Sequence, residues 1–217
     1  MTGRRVRTVA IDGPAGAGKS TLARALAEHL GLERLDTGAM YRTVAWAALE
    51  GGIDPADTAA VAELARRLHI DVAQRVLADG EDVTTAIRTP AVDATVSVVA
   101  ANPAVRRELV ERQRAWVAAH DGGVVEGRDI GTVVLPDADV KIYLTAVSDE
   151  RARRRAAERG GGALSEVAAA LDQRDNLDSS RPVSPLPDAA AMPADAIVVD
   201  STGKPAAEVL EEVLTCL

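Results

Sequence analysis

A chain of 217 residues, 47% of them hydrophobic, is long enough to bury one good core, so a single domain carrying small appended lobes is expected. A formal charge of −8 argues against the broad basic face that a phosphate backbone needs, and free small molecules rather than nucleic acid are the expected partners. The one cysteine, Cys216, allows no internal disulfide, the apolar run in "MTGRRVRTVAIDGP" is too short for a secretory signal, and no stretch reaches membrane length, so a cytoplasmic, membrane-free protein is expected.

In chain order, Val6 to Ile11 reads as a strand and Ser20 to Leu30 as a helix that Gly31 terminates. A brief edge strand follows at Glu33 to Leu35. Helical patterns cover Ala39 to Glu50, Thr58 to His69, and Pro90 to Ala119 with a break at Asn102-Pro103. Between them, "IDVAQRVLADGEDV" alternates and contains Asp79-Gly80, which predicts a small strand pair or irregular hairpin. Further strands are expected at Val124 to Glu126, Val140 to Thr145 and Ile197 to Val199. Gly160 to Gly162 separates two helical stretches, and "SSRPVSPLPDAAAMP" reads as a Pro-rich loop before the last strand. Strands alternating with helices predict a three-layer α/β/α fold on a five-stranded parallel sheet. The three histidines, His29, His69 and His120, have no ligand spacing.

The stretch "GPAGAGKS" fits G-x-x-x-x-G-K-[ST] and has the strand before it and the helix after it that this phosphate-binding loop requires. Its backbone, Gly13, Pro14, Ala15, Gly16, Ala17 and Gly18, would approach phosphate at the positive end of the following helix. Lys19 would reach the β- and γ-phosphates, Ser20 would offer its hydroxyl to Mg²⁺, and Thr21 is a candidate for the α-phosphate. The chain uses 22 arginines and only three lysines, yet a lysine holds this position, where a compact point charge fits better than a planar guanidinium. Lys19 is expected to face the surface of the ATP cleft.

Such a loop serves switches, motors and kinases alike, so the acceptor must be read elsewhere. No guanine-reading N-K-x-D occurs, whereas arginines stand at Arg42, Arg128, the run "RARRR" from Arg151 to Arg155, Arg174 and Arg181. Guanidiniums converging on one cleft would suit two polyphosphates meeting. Arg151, Arg154 and Arg155 also share a helical face, which a solvated helix would equally produce.

Taken together and in order, "IDGPAGAGKST", "LDTGAMYR", "GEDVT…IR", "VVEGRDIGTVV", "VKIYLTA", "RARRR" and "RDNLDSSRPVSPL" resemble the bacterial cytidylate kinases of the nucleoside monophosphate kinase family. The resemblance runs nearly end to end. It implies transfer from ATP to CMP or dCMP with Mg²⁺, in a monomer. The implied organisation is a core of about residues 1–36, 120–147 and 190–217, a nucleotide-binding lobe of about 37–119, and an arginine-bearing lid of about 148–189. The insertion "IDVAQRVLADGEDV" and the lid segment "RAAERGGGALSEV" are short for the family.

Carried onto matching positions, the resemblance puts Thr37, Tyr41 and Arg42 at the acceptor, with Arg42 on the CMP phosphate. Read alone, Asp36-Thr37-Gly38 is a helix cap. Ser97, Arg106 and Asp129 match the cytosine-reading positions, although Ser97 alone reads as an ordinary helix residue and Arg106 as an exposed one. Arg128 falls at the C-terminal end of a core strand, where open α/β sheets bind ligands. The resemblance gives it the acceptor phosphate. Arg174, Asp178 and Arg181 form an Arg-x-x-x-Asp-x-x-Arg pattern in an expected Pro-bounded loop, and the resemblance gives the ribose to the aspartate and the phosphates to the arginines. Arg151 and Arg155 are the lid residues expected at ATP.

A phosphate monoester has a second pKa near 6, so its attacking oxygen is mostly ionised at pH 7 and no general base is needed. Lys19, Arg128, Arg174 and Arg181 are therefore the expected catalytic set. Two other readings fit the loop: a kinase of UMP, AMP or shikimate, and a non-catalytic ATP-binding regulator, for which acceptor-side arginines have no use.

Overall fold

The computed structural model describes residues 6–158, 161, 163–181 and 183–217. The expected N-terminal basic residues up to Arg5, two of the three glycines Gly160 and Gly162, and Pro182 lie outside the described residues. The chain divides into two compact units, one reaching Arg34 and resuming at Ala119, the other Leu35–Ala118.

In the first unit, β1 (Thr8–Asp12) is an apolar run buried from Val9 onward and leads into α1 (Lys19–Leu30). Gly31 closes that helix at φ 65, returning its amide to Ala27 and Glu28. The brief β2 (Arg34–Asp36) lies at the chain boundary between the units.

The second unit opens with α2 (Thr37–Glu50), two residues earlier than its pattern predicts, because the Asp36 carboxylate accepts from the Ala39 amide. Asp57 caps α3 (Thr58–Arg67) in the same way. That helix stops two residues short of His69, since Leu68 is already extended ahead of β3 (Ile70–Val72). The insertion is a full antiparallel three-stranded sheet, with β4 (Val76–Ala78) central between β3 and β5 (Glu81–Asp82). Asp79 and Gly80 turn the second hairpin at φ 48 and 88. Then come α4 (Pro90–Ala101) and α5 (Pro103–Ala119), broken where expected because Asn102 precedes proline and is held extended at ψ 115.

Back in the first unit, β6 (Gly123–Glu126) is wholly buried, and a π-type turn, Ile130–Val134, leads to β7 (Val140–Thr145). Two helices follow, α6 (Ser148–Glu158) and α7 (Leu164–Ser180). The segment expected as a Pro-bounded loop from Arg174 is therefore helical through Ser180. No proline interrupts it before position 182, and Arg174 and Asp178 stand one turn apart on the same face. β8 (Ala196–Asp200) and α8 (Ala206–Leu214) complete the chain.

The sheet order is β2-β6-β1-β7-β8, parallel at β6–β1, β1–β7 and β7–β8. The fold is the three-layer α/β/α class. Val9, Ile11, Leu22, Leu26, Ile142 and Val213 meet in the main core, joining the central strands to α1 and α8. With β1 central, the loops leaving β1 and β6 emerge side by side at the carboxyl ends of adjacent strands, where such sheets bind ligands. Among the described residues no helix is long and apolar enough to cross a membrane.

Candidate active site

The loop after β1 is shaped by backbone contact. A Cβ on Gly13 would stand 2.0 Å from the Leu144 carbonyl oxygen, and φ there is 144, so only glycine lets the chain pass. Gly18 enters α1 at φ 96 without any side-chain cap, and while the Thr21 amide turns back to the Gly18 carbonyl at 3.1 Å, those of Lys19 and Ser20 stand at the positive end of the helix, where an anion binds.

Lys19 departs from expectation. It is only 9% exposed rather than surface-facing, because its flexible stem folds back and Nζ donates to the Gly13 and Pro14 carbonyls at 2.8 and 2.7 Å. Burial lowers its pKa from the ordinary 10.5 to about 7, the Arg128 guanidinium adding to the effect and Glu126 opposing it. Ser20 Oγ donates to Glu126 Oε2 at 2.8 Å. Glu126 ends β6 and is buried, with its other oxygen 3.4 Å from Arg34 Nη1.

Beyond β6, Arg128 donates from Nε to Asp178 and from Nη1 to the Gly13 carbonyl, both at 2.9 Å. Arg174 Nε lies 4.0 Å from Asp178, and Arg181 lies 3.9 Å from Asp178 and 3.6 Å from Asp129. Three guanidiniums thus converge on one carboxylate. Burial alone would raise the Asp178 carboxyl, but Arg128 and then Arg174 outweigh it and hold the group below its ordinary value.

The α6 arginines differ in what they meet. Arg151 donates to the Ala15 carbonyl at 3.1 Å and pairs with Asp175, which also accepts the Ala15 amide at 3.2 Å. Arg155 pairs with Glu158 on its own helix. Arg154 instead reaches the loop, donating to the Ala17 carbonyl, Ser201 Oγ and the Ser201 carbonyl at 3.2, 2.9 and 2.7 Å. It borders a cavity of about 190 Å³ that Gly18, Thr21, Leu144 and Lys204 also line.

In the second unit, Thr37 and Tyr41 are buried on α2. Arg42 donates to the Ile87 carbonyl at 2.9 Å and pairs with Asp93, which shares a face of α4 with Ser97 one turn on. Ser97 is buried, and Arg106 is 3% exposed rather than solvent-facing. The reason is its place in a buried stripe of α5 with Val105, Leu109 and Gln113, where its guanidinium lies 5.6 Å from the Tyr41 ring centroid.

The structure therefore gathers Gly13 to Thr21, Arg128, Asp129, Arg151, Arg174, Asp178 and Arg181 in the first unit, and pairs Tyr41 with Arg106 in the second. Sequence reasoning missed Glu126, Arg154, Asp175 and Ser201, and Asp93 in the second unit. A signal existed for Glu126, an acidic residue closing an apolar strand immediately before Gly127-Arg128. Asp175 adjoins Arg174 inside the recognised pattern.

The family described as cytidylate kinase matches residues 9–217. A cytidylate kinase of Desulfitobacterium hafniense (strain Y51) is 51% identical over 215 residues, spanning 95% of this chain and 90% of the relative. One from Limosilactobacillus reuteri (strain DSM 20016) is 49% identical over 215 residues, spanning 94% and 92%. Among solved structures, a gluconokinase from Sinorhizobium meliloti 1021 superposes with a TM-score of 0.54 at 15% identity, covering 98% of this chain and 92% of its own, a likeness of fold alone.

Proposed function

We infer the reaction from one premise: the chain belongs to the cytidylate kinase family. It phosphorylates CMP at the expense of ATP, yielding CDP and ADP, and dCMP is proposed as a second acceptor. The observation that carries this reading is the family match over residues 9–217. The acidic balance of 33 carboxylates against 25 basic side chains favours free nucleotides over nucleic acid, and the compartment that supplies them is the cytoplasm.

The chemistry needs little covalent help. At pH 7 the acceptor phosphate is mostly ionised, so the protein's tasks are in-line positioning and neutralising charge on the moving phosphoryl group. In the first unit, the loop amides and Lys19 take the β- and γ-phosphates of ATP, while the Arg154 cavity, bordered by Thr21 and Lys204, is of a size to admit the adenine end. Arg128, Arg174 and Arg181, already oriented by Asp178, turn their remaining donors to acceptor and transferred phosphate. Arg151, and Arg155 beside it, complete the lid side of the ATP site. Asp178 is assigned the ribose and Asp129 the base. In the second unit, Arg42 takes the acceptor phosphate, Thr37 and Tyr41 the nucleotide body, and Ser97 and Arg106 the cytosine.

The Ser20 hydroxyl and the Glu126 carboxylate, 2.8 Å apart, are the hard oxygen donors that suit Mg²⁺. Ser20 would hold the ion and Glu126 its water shell, and the ion would supply charge neutralisation to the polyphosphate.

Arg128→Ala and Arg181→Ala are each expected to lower kcat at least ~100-fold, the scale of removing one transition-state donor. Steady-state kinetics with CMP reads this, and a change confined to KM would mean that these arginines bind only ground-state phosphate.

A second expectation follows from Lys19. Since its folded-state value of about 7 lies below 10.5, the buried charge costs stability up to about pH 7, and that cost is relieved as pH rises toward 10.5. Polyphosphate favours the charged form. ATP binding at pH 7 is therefore expected to take up about half a proton more in the wild type than in Lys19→Met. Calorimetry in buffers of different ionisation enthalpy measures this difference. Equal uptake in the two proteins would show that Lys19 is fully charged before ATP arrives.

A further inference from the structure

We propose that Asp12 is a positioning residue for Arg128, its carboxylate clamping the turn that carries Arg128 and Asp129 onto the strand end that launches the phosphate loop. The proposal rests on the reading of Arg128 as a ligand of the acceptor phosphate.

Three consecutive residues, the last two of β1 and Gly13 after it, accept from one short segment after β6. Ile11 O takes the Gly127 amide at 2.9 Å, Asp12 takes the amides of Ile130 and Gly131, and Gly13 O takes Arg128 Nη1 at 2.9 Å. Arg128 is thereby bracketed on both sides in the chain and tied back through its own guanidinium. The two Asp12 bonds are short, 2.6 Å to Oδ1 and 2.7 Å to Oδ2, and the side chain is fully buried. They serve the first amides of the π-type turn, which start a helical segment and so have no acceptor within it. Asp129, between Arg128 and the clamp, sits at φ −145 and ψ 28, outside both helix and strand geometry. The fit is tight: a Cβ on Gly131 would stand 3.2 Å from Lys141 Cγ and 3.4 Å from Asp12 Oδ2.

The residue type matters as much as the place. Two N–H donors, each on its own oxygen, require a carboxylate. Asparagine would offer one oxygen and set its amino group against the second amide. Burial pushes the Asp12 carboxyl up to about 6 against the pull of the Gly131 and Ile130 amides, with Asp129 adding to the rise and Lys19 opposing it. A charge is thus kept where burial disfavours it, and the two amides are what it serves.

The test is a double-mutant cycle on nucleotide affinity measured by calorimetry, with ATP as internal reference. Asp12→Asn is expected to weaken CMP roughly 10- to 100-fold, the scale of leaving one buried amide unsatisfied, with ATP affinity altered less than about threefold. The double variant Asp12→Asn/Arg128→Ala should bind CMP no more than about threefold weaker than the worse single variant. If Asp12→Asn is not recovered folded, Asp12→Glu, which keeps both oxygens on a longer stem, enters the same cycle with the same non-additivity expected. Additive losses, or unchanged CMP affinity in the Asp12 variant, would overturn the positioning role alone. Unchanged CMP affinity in Arg128→Ala would overturn the reading of Arg128 and this proposal with it.

Discussion

Replacing Lys19 by methionine is expected to lower kcat by roughly 1,000-fold, the upper scale for one donor aimed at transition-state charge, while the protein remains folded. The stem of methionine has similar length and fills the space that the lysine stem occupies. The Gly13 carbonyl keeps a donor, Arg128 Nη1 at 2.9 Å, so only the Pro14 carbonyl loses its donor, the ammonium at 2.7 Å. Against that loss stands the removal of a charge whose pKa burial has driven down to about 7. The melting temperature should therefore stay within a few degrees or rise. Thermal melts and single-turnover transfer from ATP to CMP measure the two effects separately. Near-normal kcat in a folded Lys19→Met protein would remove the phosphate-loop assignment.

Base choice carries the larger effect. Cytosine presents an exocyclic amino donor beside a ring-nitrogen acceptor, and uracil presents a carbonyl and an N–H at those places. If Ser97 and Arg106 read the base as proposed, the first accepting from the amino group and the second donating to the ring, UMP would meet a donor with a donor and an acceptor with an acceptor. Sites built on such bonds reject a mismatched analogue by roughly 10⁴-fold in kcat/KM. Ser97→Ala and Arg106→Met are expected to narrow the ratio chiefly by damaging CMP, whereas Lys19→Met lowers both substrates alike. Arg106→Met also removes the cation lying 5.6 Å from the Tyr41 ring centroid, so its melting temperature must be measured beside its kinetics. A ratio unmoved by either substitution would take the cytosine-reading role from these residues.

The phosphate loop was legible because its chemistry is local: glycines, lysine and serine stand within eight residues, and strand and helix flank them. The sheet was legible for the same reason, since each buried strand is a continuous Val- and Ile-rich run. What escaped is non-local. Ser20 and Glu126 meet across 106 positions, and Arg154 and Ser201 across 47, and no spacing rule relates such pairs. Arg106 reads as exposed for a different reason. The α5 sequence is so rich in charge that its buried face is hard to see, yet Val105, Leu109 and Gln113 mark that face and Arg106 lies on it. The Arg174 to Arg181 pattern reads as a Pro-bounded connection because prolines follow closely on its far end. The helix wins up to Ser180 because proline forbids helix only at and just before its own position.

Phosphoryl transfer to CMP is measured most directly by ADP release from Mg-ATP with CMP, dCMP, UMP, AMP, shikimate or no acceptor. Rapid ADP formation is expected with CMP and dCMP, a kcat/KM lower by roughly 10⁴-fold with UMP, and no acceptor-dependent turnover with AMP or shikimate. ADP release that is independent of CMP, or as efficient with UMP as with CMP, would contradict CMP-specific transfer.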